Sequence, residues 1–220
     1  MKKAFLFLAF SALLLSCLQG GEEPVQTGDL IFLGFPKQSA SEEGGMTAAI
    51  ASATGEGDLN LVHVGILEVD AENTVWVIDA TVKNGVHRDT LSQLIRDFTR
   101  HDGTLPVALV MRLKDNSHAK EYVQKAKSFI GEPYDYNFAP DNGAQYCSEL
   151  VWDSYIRADG TRIFEATPMN FKNEDGEFDL YWIRLFERLQ VPIPQDEPGT
   201  CPQEIYASEA IRPVNITLIK

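Results

Sequence analysis

Tyr146-Cys147-Ser148-Glu149-Leu150-Val151-Trp152-Asp153-Ser154-Tyr155-Ile156 follows a segment, Pro133 to Gln145, that is rich in Pro, Asn, Asp and Gly. Such a composition marks a loop, and the apolar run after it predicts a helix over Tyr146 to Ile156 with Cys147 at its start. A cysteine at that place has a defined chemistry. The first N–H groups of a helix have no partner within it, and the aligned peptide dipoles put partial positive charge there. Both effects favour a thiolate, and the same N–H groups suit an oxyanion that forms on an attacked carbonyl. Position alone does not decide the matter, because a free cysteine equally suits a small buried apolar site.

A nucleophilic thiol needs a base, and the chain upstream offers one. Leu61 to Val69 alternates as a strand and Thr74 to Val82 as its neighbour, with a tight turn over Asp70 to Asn73. At period two, His63 shares a face with Leu61 and Gly65, while Val62, Val64 and Ile66 point the other way. A glycine on its own face leaves His63 open space, although a core histidine with one satisfied hydrogen bond fits the same pattern. Asp79 closes Val75-Trp76-Val77-Ile78 on the next strand, where its carboxylate can hold one imidazole tautomer or simply begin a turn. His87, His101 and His118 lie at turns or helix ends and read as solvated surface.

The remaining segments intermix helix and strand. Leu30 to Phe35 and Leu105 to Leu113 read as strands, and Ile211 to Ile219 as a further one. Met46 to Ala53, Asp89 to Arg100 and Asn116 to Ile130 read as helices, the last capped by Asn116 or Ser117 and ended by Gly131. The tail from Ala158 is irregular except for an amphipathic helix over Leu180 to Leu189. The class is therefore α+β around an antiparallel sheet, in one domain over residues 24–220.

Several motifs stand in a fixed order. Gly28-Asp29-Leu30-Ile31-Phe32 comes first, then Val62-His63-Val64-Gly65-Ile66, then Ile78-Asp79-Ala80 with Gly85-Val86. Gly131-Glu132-Pro133-Tyr134-Asp135 and Tyr146-Cys147-Ser148-Glu149-Leu150-Val151-Trp152 follow. This ordered set resembles the circularly permuted papain-like amidases of the YaeF/YiiX type, relatives of the NlpC-type cell-wall peptidases. In ordinary papain-like enzymes the cysteine precedes the histidine. Here His63 precedes Cys147 by 84 residues, as permutation requires. The resemblance implies a permuted papain-like fold: an antiparallel, partly barrel-like sheet packed against helices, with the nucleophile at a helix N-terminus. It also implies Cys147 as nucleophile, His63 as general base and acid, and Asp79 as the residue that orients the imidazole. The third position departs from the pattern, because Glu is expected there more often than Asp. Tyr134 is a candidate for holding the oxyanion or positioning substrate, and is equally suited to be a packed aromatic. The implied reaction is acyl transfer through a thioester, with no metal and no organic cofactor.

The N-terminus carries its own signal. Lys2 and Lys3 precede an apolar stretch from Ala4 to Ser16, too short to span a bilayer, which predicts a secretory signal peptide over residues 1–16. Leu14-Leu15-Ser16-Cys17 resembles the bacterial lipobox, which implies lipidation of Cys17 and a tether over residues 17–23. The expected location is the cell envelope of a bacterium, with the protein held by its lipid on the periplasmic or surface face of the outer membrane. The net charge of −13, from 19 basic and 32 acidic side chains, excludes binding to a phosphate backbone, which needs clustered cations. No obligate protein partner is expected. The other two cysteines, Cys147 and Cys201, are free to pair or to remain thiols. Three functions follow. The first is an envelope amidase or peptidase acting on a small peptide or acyl amide, with peptidoglycan stem peptides as one substrate. The second is a hydrolase or acyltransferase of acyl lipids or N-acyl amino acids. The third is a non-catalytic envelope binding module that retains the cleft.

Overall fold

The computed structural model describes residues 22–37, 45–54 and 58–216. The expected signal peptide, Cys17 and the first part of the expected tether lie outside them, as do residues 217–220 at the end of the strand expected from Ile211.

Six strands form one antiparallel sheet. They are β1 (Leu30–Pro36), β2 (Leu59–Val69), β3 (Val75–Thr81), β4 (Gly85–Thr90), β5 (Val107–Leu113) and β8 (Ile211–Pro213), in the order β4-β3-β2-β1-β5-β8. Two short strands, β6 (Thr167–Pro168) and β7 (Pro198–Gly199), pair separately. The helices are α1 (Met46–Thr54), α2 (Leu91–Asp97), α3 (Ala119–Ser128), α4 (Cys147–Ser154), α5 (Leu180–Leu189) and α6 (Pro202–Ala207). The antiparallel sheet packed against helices is the one expected, and among the described residues no pairing joins β4 to β8.

Apolar side chains cover both faces of the sheet. Leu30, Phe32, Val64, Ile66 and Ile78 pack with Leu150 and Val151 of α4 and with Tyr122 and Val123 of α3. On the other side Ile31, Leu33, Leu67 and Val77 pack with Leu94 of α2. A third cluster joins Trp182, Leu185 and Phe186 of α5 to Phe138, Phe171 and Ala49. The spacing of Trp182, Leu185 and Phe186 is that of one helical face, and Asp179 caps the helix by accepting from Tyr181 N at 2.7 Å.

Two local departures from regularity shape the site. The pairing of β1 with β2 runs Leu33 with His63 and then Gly34 with Leu61, so Val62 is an extra residue, a β-bulge. Strict alternation across this point fails. Leu61 joins Val64 and Ile66 in the core under α4, and it is not on the face of His63, contrary to the period-two expectation. Second, β2 and β3 are paired from Val69–Val75 to Ile66–Ile78 and no further. Beyond that point the two strands part, and the described pairing leaves His63 on one lip and Asp79, Ala80 and Thr81 on the other.

Three sequence expectations are corrected. The segment Asp89 to Arg100 is not one helix: Asp89 and Thr90 end strand β4, and α2 begins at Leu91, capped by the Thr90 hydroxyl accepting from Gln93 N at 3.2 Å. Strand β4 offers one buried apolar side chain, Val86, so it carries little alternation to read. Neither Asn116 nor Ser117 caps α3, whose N-cap residue is His118; Ser117 is turned to Asp115 Oδ1 instead. The tail is also less irregular than expected, because Pro202 opens the short helix α6.

Candidate active site

Cys147 is the first residue of α4, preceded by Tyr146 in extended conformation. Two sets of contacts hold the head of this helix. Ser148 Oγ donates to Thr200 O at 2.9 Å, and Thr200 N donates to Tyr146 Oη at 3.2 Å. On the other side, the loop before the helix is stitched to the sheet edge. Val86 N donates to Glu132 O and Gly131 N to Val86 O, each at 2.9 Å. Gly85 makes this close approach possible: its φ is +63°, and a Cβ there would lie 2.2 Å from Glu132 O. From Glu132 the chain runs through Asp135, whose carboxylate accepts from Asn137 N and Ala139 N at 2.8 Å each.

His63 and Asp79 meet across the parted strands. Asp79 Oδ2 is 2.7 Å from His63 Nε2, and both residues are buried. Gly65 lies between them on the same face: a Cβ there would meet Val77 Cγ1 at 2.6 Å and Asp79 Cβ at 3.4 Å. The ring of Phe98 lies 4.4 Å from the imidazole, centroid to centroid. Nε2 is engaged by Asp79, and Cys147 lines the same cavity as His63 and acts on the charge of its ring. Burial opposes charge on the ring, but the hydrogen bonds to Asp79 and Cys147, with the charges of both, outweigh it. The His63 pKa rises from 6.5 to about 9.

The structure thus brings Cys147, His63 and Asp79 together. Tyr134 is adjacent: its ring lines the cavities on both sides of Cys147, and its hydroxyl donates to Met46 Sδ at 3.4 Å. Burial, and then the charge at Cys147, raises its ionisation well above the ordinary tyrosine range, so the hydroxyl stays a donor. Cys201 is a free thiol, as is Cys147. Burial, then the Glu204 carboxylate, pushes the Cys201 thiol up to about 12, which leaves it un-ionised and poorly nucleophilic.

Sequence reading passed over two groups here. His87 pairs with Asp79 across β3 and β4, and its Nδ1 is 3.3 Å from Asp79 Oδ1, so it is not the solvated residue expected. Its Nδ1 also lies 3.2 Å from Gly85 O, and Asn84 Nδ2 lies 3.3 Å from its Nε2. A cross-strand register would have revealed it, but β4 was not legible as a strand. The second is Glu149, whose Oε2 accepts from Tyr146 N at 3.3 Å in the first turn of α4. Burial, then the Asp135 carboxylate, pushes its carboxyl up to about 9.

Residues 24–215 match the family described as permuted papain-like amidase enzymes, YaeF/YiiX, C92. The chain belongs to this family. The permuted papain-like amidases are cysteine peptidases and amidases, and the protein is a cysteine hydrolase with their fold. One similar protein is the uncharacterized protein YiiX of Escherichia coli (strain K12), 35% identical over 91 residues. That match spans 40% of this chain and 42% of YiiX. A solved structure described as metalloprotein YiiX from Escherichia coli O157:H7 superimposes with a TM-score of 0.65 and 28% identity. It covers 89% of this chain and 99% of the other. Among the described residues of the present protein, no group of three or more His, Cys, Asp or Glu side chains is placed to hold a metal ion. They do not fit such a site.

Proposed function

We propose that this permuted papain-like amidase is a lipid-anchored enzyme of the bacterial cell envelope that cleaves an amide through a thioester on Cys147. The observation that carries the reading is the buried pair of His63 Nε2 and Asp79 Oδ2 at 2.7 Å, on a cavity that Cys147 at the head of α4 also lines. In this reading His63 takes the thiol proton and holds it as an imidazolium, which Asp79 stabilises and orients. The sulfur adds to the amide carbonyl carbon, and the first N–H groups of α4 receive the oxyanion. The C–N bond then breaks, and the departing nitrogen takes its proton from His63. Water, deprotonated by His63, cleaves the thioester and restores the thiol. Tyr134, whose hydroxyl remains a donor, positions the substrate at the junction of the two cavities.

The anchoring part of the proposal rests on Leu14-Leu15-Ser16-Cys17, with residues 1–16 as signal peptide, Cys17 as lipid carrier and residues 24–220 as the catalytic domain. Among the described residues no helix is long and apolar enough to cross a membrane. The test has two arms. An electrophilic thiol probe should label Cys147 in the wild-type chain and label His63→Ala at least tenfold more slowly; equal rates would overturn the base assignment. Cys17→Ala should move the protein from the membrane fraction to the soluble fraction, and an unchanged distribution would overturn the anchor.

A further inference from the structure

Asp79 lies where strand β3 is held from one side only. The pairing of β2 with β3 ends at Ile66–Ile78, just short of it, whereas the pairing of β3 with β4 continues through Asp79–His87 to Thr81–Gly85. The Asp79 side chain is 2% exposed, and a histidine stands at each of its oxygens. Oδ2 is 2.7 Å from His63 Nε2, and Oδ1 is 3.3 Å from His87 Nδ1. Among the described residues these two imidazoles are the polar partners of the carboxylate.

A buried carboxylate oxygen without a donor is costly, so the place of the proton on His87 matters. The turn before β4 fixes it. Asn84 Nδ2 is 3.3 Å from His87 Nε2. An amide nitrogen donates and does not accept, so Nε2 is the acceptor and the proton of the neutral ring sits on Nδ1. From there the N–H reaches two oxygens, Gly85 O at 3.2 Å and Asp79 Oδ1 at 3.3 Å. One N–H can serve two acceptors in a three-centre bond. His87 itself lines neither cavity at Cys147, so any effect on the thiol passes through Asp79.

We infer that His87 is a positioning residue of the active site: its Nδ1–H holds Oδ1 of Asp79 and keeps Oδ2 aimed at His63. Held by His63 alone, the carboxylate can turn about its Cβ–Cγ bond. Held at both oxygens, it keeps one orientation, in which it supports the imidazolium. The inference rests on the thioester reading above and deepens it, because the orientation of Asp79 matters where His63 gains and loses a proton. His87 lies on the edge strand β4 with its side chain 20% exposed, so it can be replaced without opening the core.

The experiment measures how fast an electrophilic thiol probe labels Cys147 of the full-length chain at neutral pH, where the rate follows the fraction of thiolate paired with His63 imidazolium. His87→Leu fills the space and donates nothing, and should slow labelling about fivefold. His87→Asn keeps an N–H donor at the position of Nδ1 and should bring the rate back to within about twofold of wild type. In an Asp79→Ala background His87→Leu should change the rate by less than about 1.5-fold, because the group it acts through is gone. Nitrogen-15 NMR of the imidazoles in mildly alkaline buffer should show His87 protonated at Nδ1 and bare at Nε2. Labelling of His87→Leu as fast as wild type or faster, His87→Asn no better than His87→Leu, or a His87 ring protonated at Nε2 overturns the inference. Equal slowing with and without the Asp79 carboxylate also overturns it. The comparison of Leu with Asn and the NMR decide the matter even if the Asp79→Ala chain does not fold. His63→Ala, labelled in parallel, separates the two readings. Labelling that depends on His63 but not on His87 removes the positioning role alone, and labelling that depends on neither removes the thioester reading with it.

Discussion

His63 is a buried imidazole whose pKa is raised by Asp79 and Cys147 against the cost of burial, and that gives the proposed mechanism a definite pH dependence. Its pKa is raised from 6.5 to about 9, so the imidazolium that the proposed mechanism uses to protonate the leaving amine is lost as pH climbs through about 9. We expect kcat/KM to have an alkaline limb there. Asp79→Asn removes a charge and a hydrogen-bond acceptor that support the imidazolium, and should move that limb to lower pH; a pH–rate profile that does not move would place Asp79 outside the mechanism. The same shift has a stability sign. A folded pKa above the unfolded one contributes stability that is fully present below about 6.5 and lost as pH rises through about 9. Glu149 follows the same sign for a different cause. Burial first, and then Asp135, raise its carboxyl from 4.5 to about 9, so its contribution is complete below about 4.5 and is lost as pH rises through about 9. Glu149→Gln, which keeps the shape without the ionisation, should lose less stability than the wild type between those limits, as read from Tm against pH. Equal slopes would mean that Glu149 is not buried as described. None of this was legible from residue type, because Glu149 follows Cys147 by two positions on a helix whose first turn would ordinarily welcome a carboxylate.

At the scale of elements, the site is built where regular structure gives way. The bulge at Val62 and the parting of β2 from β3 beyond the Ile66–Ile78 pair place His63 and Asp79 at the opening into which the head of α4 fits. Strand β4 then supplies the stitching. Its Val86 holds the Gly131 and Glu132 backbone, which Gly85 lets approach, and that backbone leads to Tyr134 and Cys147. Gly85→Ala would require a left-handed φ and a Cβ 2.2 Å from Glu132 O. We expect it to cost about 1–3 kcal/mol and to slow thiol labelling of Cys147 while leaving the far edge of the sheet intact. Hydrogen exchange resolved by segment would check this, and a loss of protection spread evenly over the sheet would contradict it. Elements with strong periodicity were readable: α5 has the bounds expected from its amphipathic pattern, and β2 and β3 lie where alternation put them. Strand β4 and helix α6 were not, because the first is an edge strand with one buried apolar residue and the second is a single turn and a half.

Over the whole molecule, a buried ion pair joins strand β5 to the turn before β1. Arg112 of β5 donates from Nε and Nη2 to the two carboxylate oxygens of Asp29 at 2.7 and 2.8 Å, and also reaches Pro24 O at 2.8 Å. Tyr155, just past α4, donates to Gly28 O at 2.9 Å, which ties the helix headed by Cys147 to the same turn. Asp29→Ala should cost about 3–5 kcal/mol, because it leaves the buried Arg112 guanidinium with only the longer contact to the partly exposed Glu23 carboxylate at 3.3 Å. Pairing it with Arg112→Met should recover part of that loss in denaturant unfolding; a double variant no more stable than Asp29→Ala would show that the pair is not coupled. Gly28-Asp29 was visible in the sequence as one of an ordered set of motifs, yet its distant partner was not. That contrast holds generally here. Local pattern was enough for the order of the motifs, the helix that begins at Cys147, the family and the reaction class, because each depends on residues close together in the chain or on their order along it. The bulge that turns His63 away from Leu61, the second histidine on Asp79 and the cavities on either side of the thiol depend on which strands pair and where they separate. Those are contacts between residues far apart in the chain, and period-two and period-3.6 patterns carry no record of them.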